Sequence, residues 1–120
     1  MTDTIALTSS VTENYINAKF HLTTQLTQIY QCPLDIKAAA IILCHAASVD
    51  DLNDSSLTVS WADYTDNNAM TYLISSGNLP ARSGLNVLYN KLFLEAGDSV
   101  WAMADALNKI HITLSILEIS

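Results

Sequence analysis

The sequence predicts an all-β fold: an antiparallel β-sandwich, jelly-roll or Ig-like, of about eight to ten short strands with a less regular N-terminal arm. Three observations predict it. First, Ile110, Ile112, Leu114 and Ile116 alternate with His111, Thr113 and Ser115. This period of two marks a half-buried antiparallel strand. Second, Leu57, Val59 and Trp61 alternate in the same way with Thr58, Ser60 and Ala62, and Met70, Tyr72 and Ile74 repeat the pattern. Third, turn chemistry recurs between these runs, as in Cys32-Pro33, Asp66-Asn67-Asn68, Ser76–Gly84 and Gly97-Asp98. Proline removes a ladder donor, and Asn, Asp and Gly tolerate turn backbones.

In chain order, a short alternating piece lies around Thr4 to Thr8, and a polar, less patterned stretch follows it. Phe20 to Gln31 holds Leu22, Leu26, Ile29 and Tyr30 among Thr and Gln, which favours strand. Ala38 to Ala47 places Ile41 and Leu43 on one side and Ile42 and Cys44 on the other, as expected of a central strand apolar on both faces. Val49–Asp54 is an acidic loop. Leu85 to Leu88 and Lys91 to Leu94 form a bent strand or a pair, and Val100, Ala102 and Ala104 alternate with Trp101 and Met103. Propensity alone favours helix over Trp101–Ile110, and short apolar runs such as this one and Ala38–Ala47 are not settled by periodicity.

Composition narrows the function classes. At 120 residues the chain is one domain with a modest core. Five basic and 12 acidic residues give a formal charge of −7, against phosphate binding, so no nucleic-acid partner is expected. Only 14% of residues are charged, compared with about 25% in typical domains. A weakly charged surface rich in Thr, Ser, Asn and Ala suits either contact with protein neighbours or a solvated sheet face. Met1-Thr-Asp-Thr has neither a basic start nor an apolar run, so no secretory leader is expected. The longest apolar stretch, Ala38–Ala47, is too short to span a bilayer, so no membrane partner is expected either. Cys32 and Cys44 flank a turn; two free thiols in a reducing cytoplasm are the expectation, and a bridge between them is the alternative.

The run Asn86-Val-Leu-Tyr-Asn-Lys-Leu-Phe-Leu-Glu-Ala-Gly-Asp-Ser-Val, followed by Leu114-Ser-Ile-Leu-Glu-Ile-Ser, resembles a family of small structural proteins of tailed bacteriophages of marine and cyanobacterial hosts. Ser56-Leu-Thr-Val-Ser-Trp-Ala-Asp-Tyr, Thr71-Tyr-Leu-Ile and Leu79-Pro-Ala-Arg-Ser-Gly-Leu extend the resemblance upstream, so that it covers about residues 26–120. It implies a β-sandwich domain over 26–120, with strand-turn-strand rather than helix across Val100–Ile110. It also implies a non-enzymatic role in the virion, assembled in the host cytoplasm. The implied partners are major capsid, neck or tail proteins, with the chain itself a homo-oligomer such as a trimer or ring. Capsid decoration, as a cement protein, is slightly favoured over a neck or tail position. Residues 1–25 depart from the family pattern: Val11–Leu22 looks like an insertion, either an arm or an extra strand.

Catalytic or metal-binding groupings are not expected. His21, His45 and His111 fall on three segments without ligand spacing. The loop Asp50-Asp51-Leu52-Asn53-Asp54 has oxygen donors but neither the glycine nor the distal glutamate of a helix-loop-helix calcium site, so a self-capping polar turn is the simpler reading. Cys44 and His45 are adjacent and point to opposite faces of a strand, so they form no nucleophile–base pair. The three glycines build no phosphate loop, and no cofactor is expected. The candidate interface residues are Trp101, Phe93, Tyr64, Tyr15 and Phe20. Trp101 leads because its parity is opposite to that of Val100 and Ala102, whereas Trp61 shares parity with Leu57 and Val59 and is expected in the core. The alternative function is a carbohydrate- or receptor-binding appendage module using such aromatics.

Overall fold

A computed structural model describes residues 12–120. Nine strands form among them: β1 (Glu13–His21), β2 (Thr27–Gln31), β3 (Ala38–Ser48), β4 (Ser55–Asp63), β5 (Ala69–Leu79), β6 (Gly84–Asn86), β7 (Leu92–Glu95), β8 (Ser99–Ala104) and β9 (Ile110–Ile119). One sheet, here sheet A, runs β1-β9-β3-β6, with β7 also on β3; sheet B runs β2-β8-β4-β5. Every pairing is antiparallel. β6 and β7 share one position beside β3, so the chain fills eight strand positions in two interleaved four-strand layers. That connectivity is a jelly roll.

The alternation seen in the sequence decides which side chains enter the space between the sheets. Ile110, Ile112, Leu114 and Ile116 of β9 are each 0% exposed and meet Leu57, Val59, Val100 and Ala102 of sheet B. Trp61 shares this inner face opposite Val100 but is only partly buried. The run Trp101–Ile110, helical by propensity, divides into the end of β8, a turn and the start of β9. Burial of Ala102, Ala104 and Ile110 on a sheet face overrides the helix preference.

Three features differ from the sequence reading. Glu13–His21 is a full strand on the edge of sheet A, the extra-strand alternative for the N-terminal stretch, but the run from Phe20 to Gln31 is not one strand: it is the end of β1, a connection and β2. The Thr4–Thr8 piece lies outside the described residues. β5 continues to Leu79 through Ser76-Gly77, where a turn was expected; Ser76 adopts φ 50° and the register with β4 shifts twice. Most consequential is a bulge in β3. Ile41 pairs with Ile116 and Leu43 with Ser115, so Ile42 is an extra residue. The expected alternation therefore breaks: Ile41 and Cys44 point inward, while Ile42 and Leu43 are both exposed.

Acidic side chains hold the turns. Asp98, 3% exposed, accepts from the amides of Tyr64 and Glu95 at 2.9 Å each, joining the β4–β5 connection to the β7–β8 turn. Gly97 in that turn has φ 91°, and a Cβ there would lie 2.5 Å from Cγ of Tyr64. Only glycine fits both demands. Asp50 accepts from the amides of Leu52 and Asn53, as the self-capping reading expects, and these bonds hold its carboxyl below the ordinary range.

Candidate subunit interface

Cross-strand partners project from the same side of a sheet, so the register assembles each surface row by row. On the outer face of sheet A one row reads Tyr15 (β1), Leu117 (β9), Ala40 (β3) and Phe93 (β7). Tyr15 and Phe93 are each 67% exposed. The bulge adds Ile42 and Leu43 beside this row, and Ala38 and Ile119 lie in the next. Four strands thus present a continuous apolar end, rimmed by Glu13 and Glu95. Contiguous exposed apolar surface on a small domain marks a contact site for another molecule.

Beyond the bulge the same face is polar. Its rows carry Lys19, Thr113, His45 and Asn86, then His21, His111, Ala47 and Gly84. His45 Nδ1 lies 2.9 Å from Asn86 Oδ1, and Ser115 Oγ donates to Asn17 Oδ1 at 2.8 Å. His21 and His111 are stacked, with ring centroids 3.8 Å apart. In the sequence the three histidines lie on separate segments. The β1–β9 pairing that brings two of them together was not visible without the register.

The five candidate residues do not form one site. Tyr15 and Phe93 share the apolar row. Trp101 lies on the outer face of sheet B, as its parity predicted, in a row with Gln28, Ser60 and Tyr72; it is half-buried and its Nε1 donates to Ser99 Oγ at 2.8 Å. Tyr64 sits over Gly97 in a 3-10 turn and is 45% exposed. Phe20 is a correction: it pairs with Ile112 on the inner face and packs against the core. Sequence reasoning missed Ile42, Leu43 and Leu117. An exposed residue in an apolar strand gives itself away only when the bulge and the neighbouring strands are known.

Polar groups between the sheets are few. The Tyr30 hydroxyl of sheet B donates to the Glu118 carboxylate of sheet A. Burial, followed by this bond and the Glu118 charge, raises the Tyr30 pKa. Cys32 and Cys44 are free and buried; burial raises the Cys32 thiol and pushes the Cys44 thiol up to about 12. Among the described residues no three His, Cys, Asp or Glu side chains gather at metal-binding distance.

No family model matches the sequence, and no curated protein is significantly similar to it. Solved structures share its fold. A subunit of the disulfide-linked pili that form Bacillus endospore appendages aligns over 90% of this chain and 87% of its own, at 10% identity and TM-score 0.53. A capsid protein of Helicobacter pylori bacteriophage KHP30 aligns over 90% and 87%, at 12% identity and TM-score 0.50. In the T13 particle of infectious bursal disease virus the match is 7% identical with TM-score 0.53 and covers 91% of this chain, which spans only 30% of that protein. At such identities the likeness is one of fold.

Proposed function

We propose that this chain is a non-enzymatic virion structural protein of a bacteriophage, a jelly-roll module that attaches in multiple copies to neighbouring shell proteins. The observation that carries the reading is the apolar end of sheet A, where Tyr15, Leu117, Ala40 and Phe93 cross four strands and the bulge adds Ile42 and Leu43. Flat apolar surface with a charged rim, centred on aromatic side chains, is the composition of a protein–protein contact. The resemblance of Asn86–Val100 and Leu114–Ser120 to phage structural proteins, and the fold shared with a phage capsid protein, support the same setting. Capsid decoration, with the apolar end seated on the major capsid protein, is preferred over a neck or tail position. The pilus subunits of similar fold are disulfide-linked; here both cysteines are buried, so non-covalent contact is the mode of assembly open to this chain.

Mass spectrometry of purified particles tests the setting: the chain should be present in many copies, and its absence ends the reading. A second reading, a carbohydrate-binding appendage, draws on the outer face of sheet B, where exposed Gln28, half-buried Trp101 and exposed Tyr72 share a row across buried Ser60. Saturable glycan binding that is lost in Tyr72→Ala would favour it over an architectural role.

A further inference from the structure

We infer that two copies of this chain pair through the free edge of β1, antiparallel and about a two-fold axis at Asn17, joining their A sheets into one. This goes beyond the virion reading and does not depend on it. Exposed sheet edges invite pairing, and folded proteins blunt them with short strands, bulges or twists. Three edge positions of this sandwich are blunted. β2 has five residues and a register shift, β6 and β7 have three and four, and β5 has two register shifts and a positive φ at Ser76. β1 is different. It pairs with β9 over nine consecutive residues without a shift, and among the described residues no strand lies on its other side.

The hydrogen-bond phase fixes which groups β1 offers. The Leu22 amide donates to Ile110 O at 2.9 Å and the Ser120 amide donates to Thr12 O at 3.0 Å, so the even-numbered residues bond toward β9. The amides and carbonyls of Glu13, Tyr15, Asn17, Lys19 and His21 therefore point away from the sheet. A second copy placed antiparallel offers the same five residues. The register that uses all nine residues sets Asn17 against Asn17, Tyr15 against Lys19 and Glu13 against His21, forming about ten ladder bonds. Each outer-face pair is compatible: an ammonium beside an aromatic ring, a carboxylate beside an imidazole, and an amide beside an amide. Sliding the copies until Lys19 meets Lys19 sets like charges opposite each other and shortens the ladder. The match is isologous and closes at two copies, as a two-fold contact must. The polar outer face and the apolar end stay uncovered, so the dimer remains free to seat on another surface.

The test uses the full chain, with light scattering and cysteine cross-linking. The wild type should run as a dimer at micromolar concentration. Asn17→Pro should run as a monomer with an unchanged near-ultraviolet spectrum, because the lost amide does not bond β9 and proline is tolerated at a strand edge. Under mild oxidation Asn17→Cys should cross-link at least about tenfold more than Tyr15→Cys, since only the residue on the axis meets its own copy within disulfide reach. A wild-type monomer with its β1 edge amides exchanging slowly would overturn the proposal, because the edge would then be covered within one chain. A dimer that survives Asn17→Pro, or one that cross-links equally at both cysteines, would also overturn it.

Discussion

The two ends of the outer face of sheet A are built on the same strands yet differ in kind. At one end the outer row is apolar, with Tyr15 and Phe93 exposed and half-buried Leu117 and buried Ala40 between them; at the other it is polar, with Lys19, Thr113, His45 and Asn86. Beneath both, the inner face of β9 is apolar from Ile110 to Ile116, with Ile112 and Ile116 each 0% exposed. Folding explains the inner face, because burial there closes the sandwich. It does not explain the outer contrast, since a strand needs no aromatic side chain in water. The difference teaches where to look for function on the surface of a sandwich: at positions where the sequence spends apolar residues that the core does not use.

The largest expected effects lie underneath, where the two ends should be alike. Ile116→Ala beneath the apolar end and Ile112→Ala beneath the polar end should each destabilise by about 2–5 kcal/mol in urea unfolding. If the two costs differ by most of that range, the core is not continuous beneath the two ends and the contrast is more than a surface property. On the outside they should diverge. Phe93→Ser and Tyr15→Ser should each leave stability within about 0.5 kcal/mol while weakening attachment to the shell about 30-fold, the scale of an aromatic hot spot. His45→Ala, at the other end, loses the exposed contact to Asn86 and should leave attachment unchanged. Co-sedimentation with particles lacking the chain measures both. Equal losses at the two ends would remove the apolar row from the contact.

pH sharpens the comparison from the inside. Cys44 lies on the inner side of β3, just past the bulge where the two ends meet, and its thiol is raised from an ordinary 9.0 to about 12 by burial. A raised folded-state pKa means that the neutral thiol is the form the fold holds. Its contribution is whole below pH 9, the unfolded value, and is lost as pH rises toward 12. Thermal unfolding should therefore shift downward over that window, and Cys44→Ala should flatten the slope. Tyr30, also raised by burial and its bond to Glu118, adds a loss beginning above pH 10 that Cys44→Ala leaves in place.

Much of this architecture is legible in the sequence, for a physical reason. A strand with one dry face must alternate, and β4, β8 and β9 do, so their inward residues can be named from parity alone. Trp101 on an outer face follows from the same rule. What cannot be read are the relations between strands. Phe20 reads as an interface candidate because its pairing with Ile112 is not visible in the sequence, and the stacking of His21 on His111 depends on a pairing between residues 90 positions apart in sequence. Ile42 and Leu43 mislead most. In an unbroken strand they would lie on opposite faces, whereas the bulge turns both outward.

That bulge gives the smallest and most specific test. Ile41 faces Ile116, Leu43 faces Ser115 and Cys44 faces Leu114, so β9 advances one residue at each step while β3 advances two at the first. Deleting Ile42 would restore strict alternation without moving Ile41, Leu43 or Cys44 to a different partner. The core should survive, with unfolding stability within about 1 kcal/mol of the parent, because a ladder irregularity is removed and no buried side chain is lost. Attachment should weaken severalfold, less than in Phe93→Ser, since one exposed apolar side chain leaves the edge of the patch. If the deletion unfolds the chain, the bulge serves the twist of sheet A; if attachment is unchanged, the patch ends at the Tyr15–Phe93 row. A folded chain that attaches more weakly means that the extra residue in β3 is there to widen the contact surface.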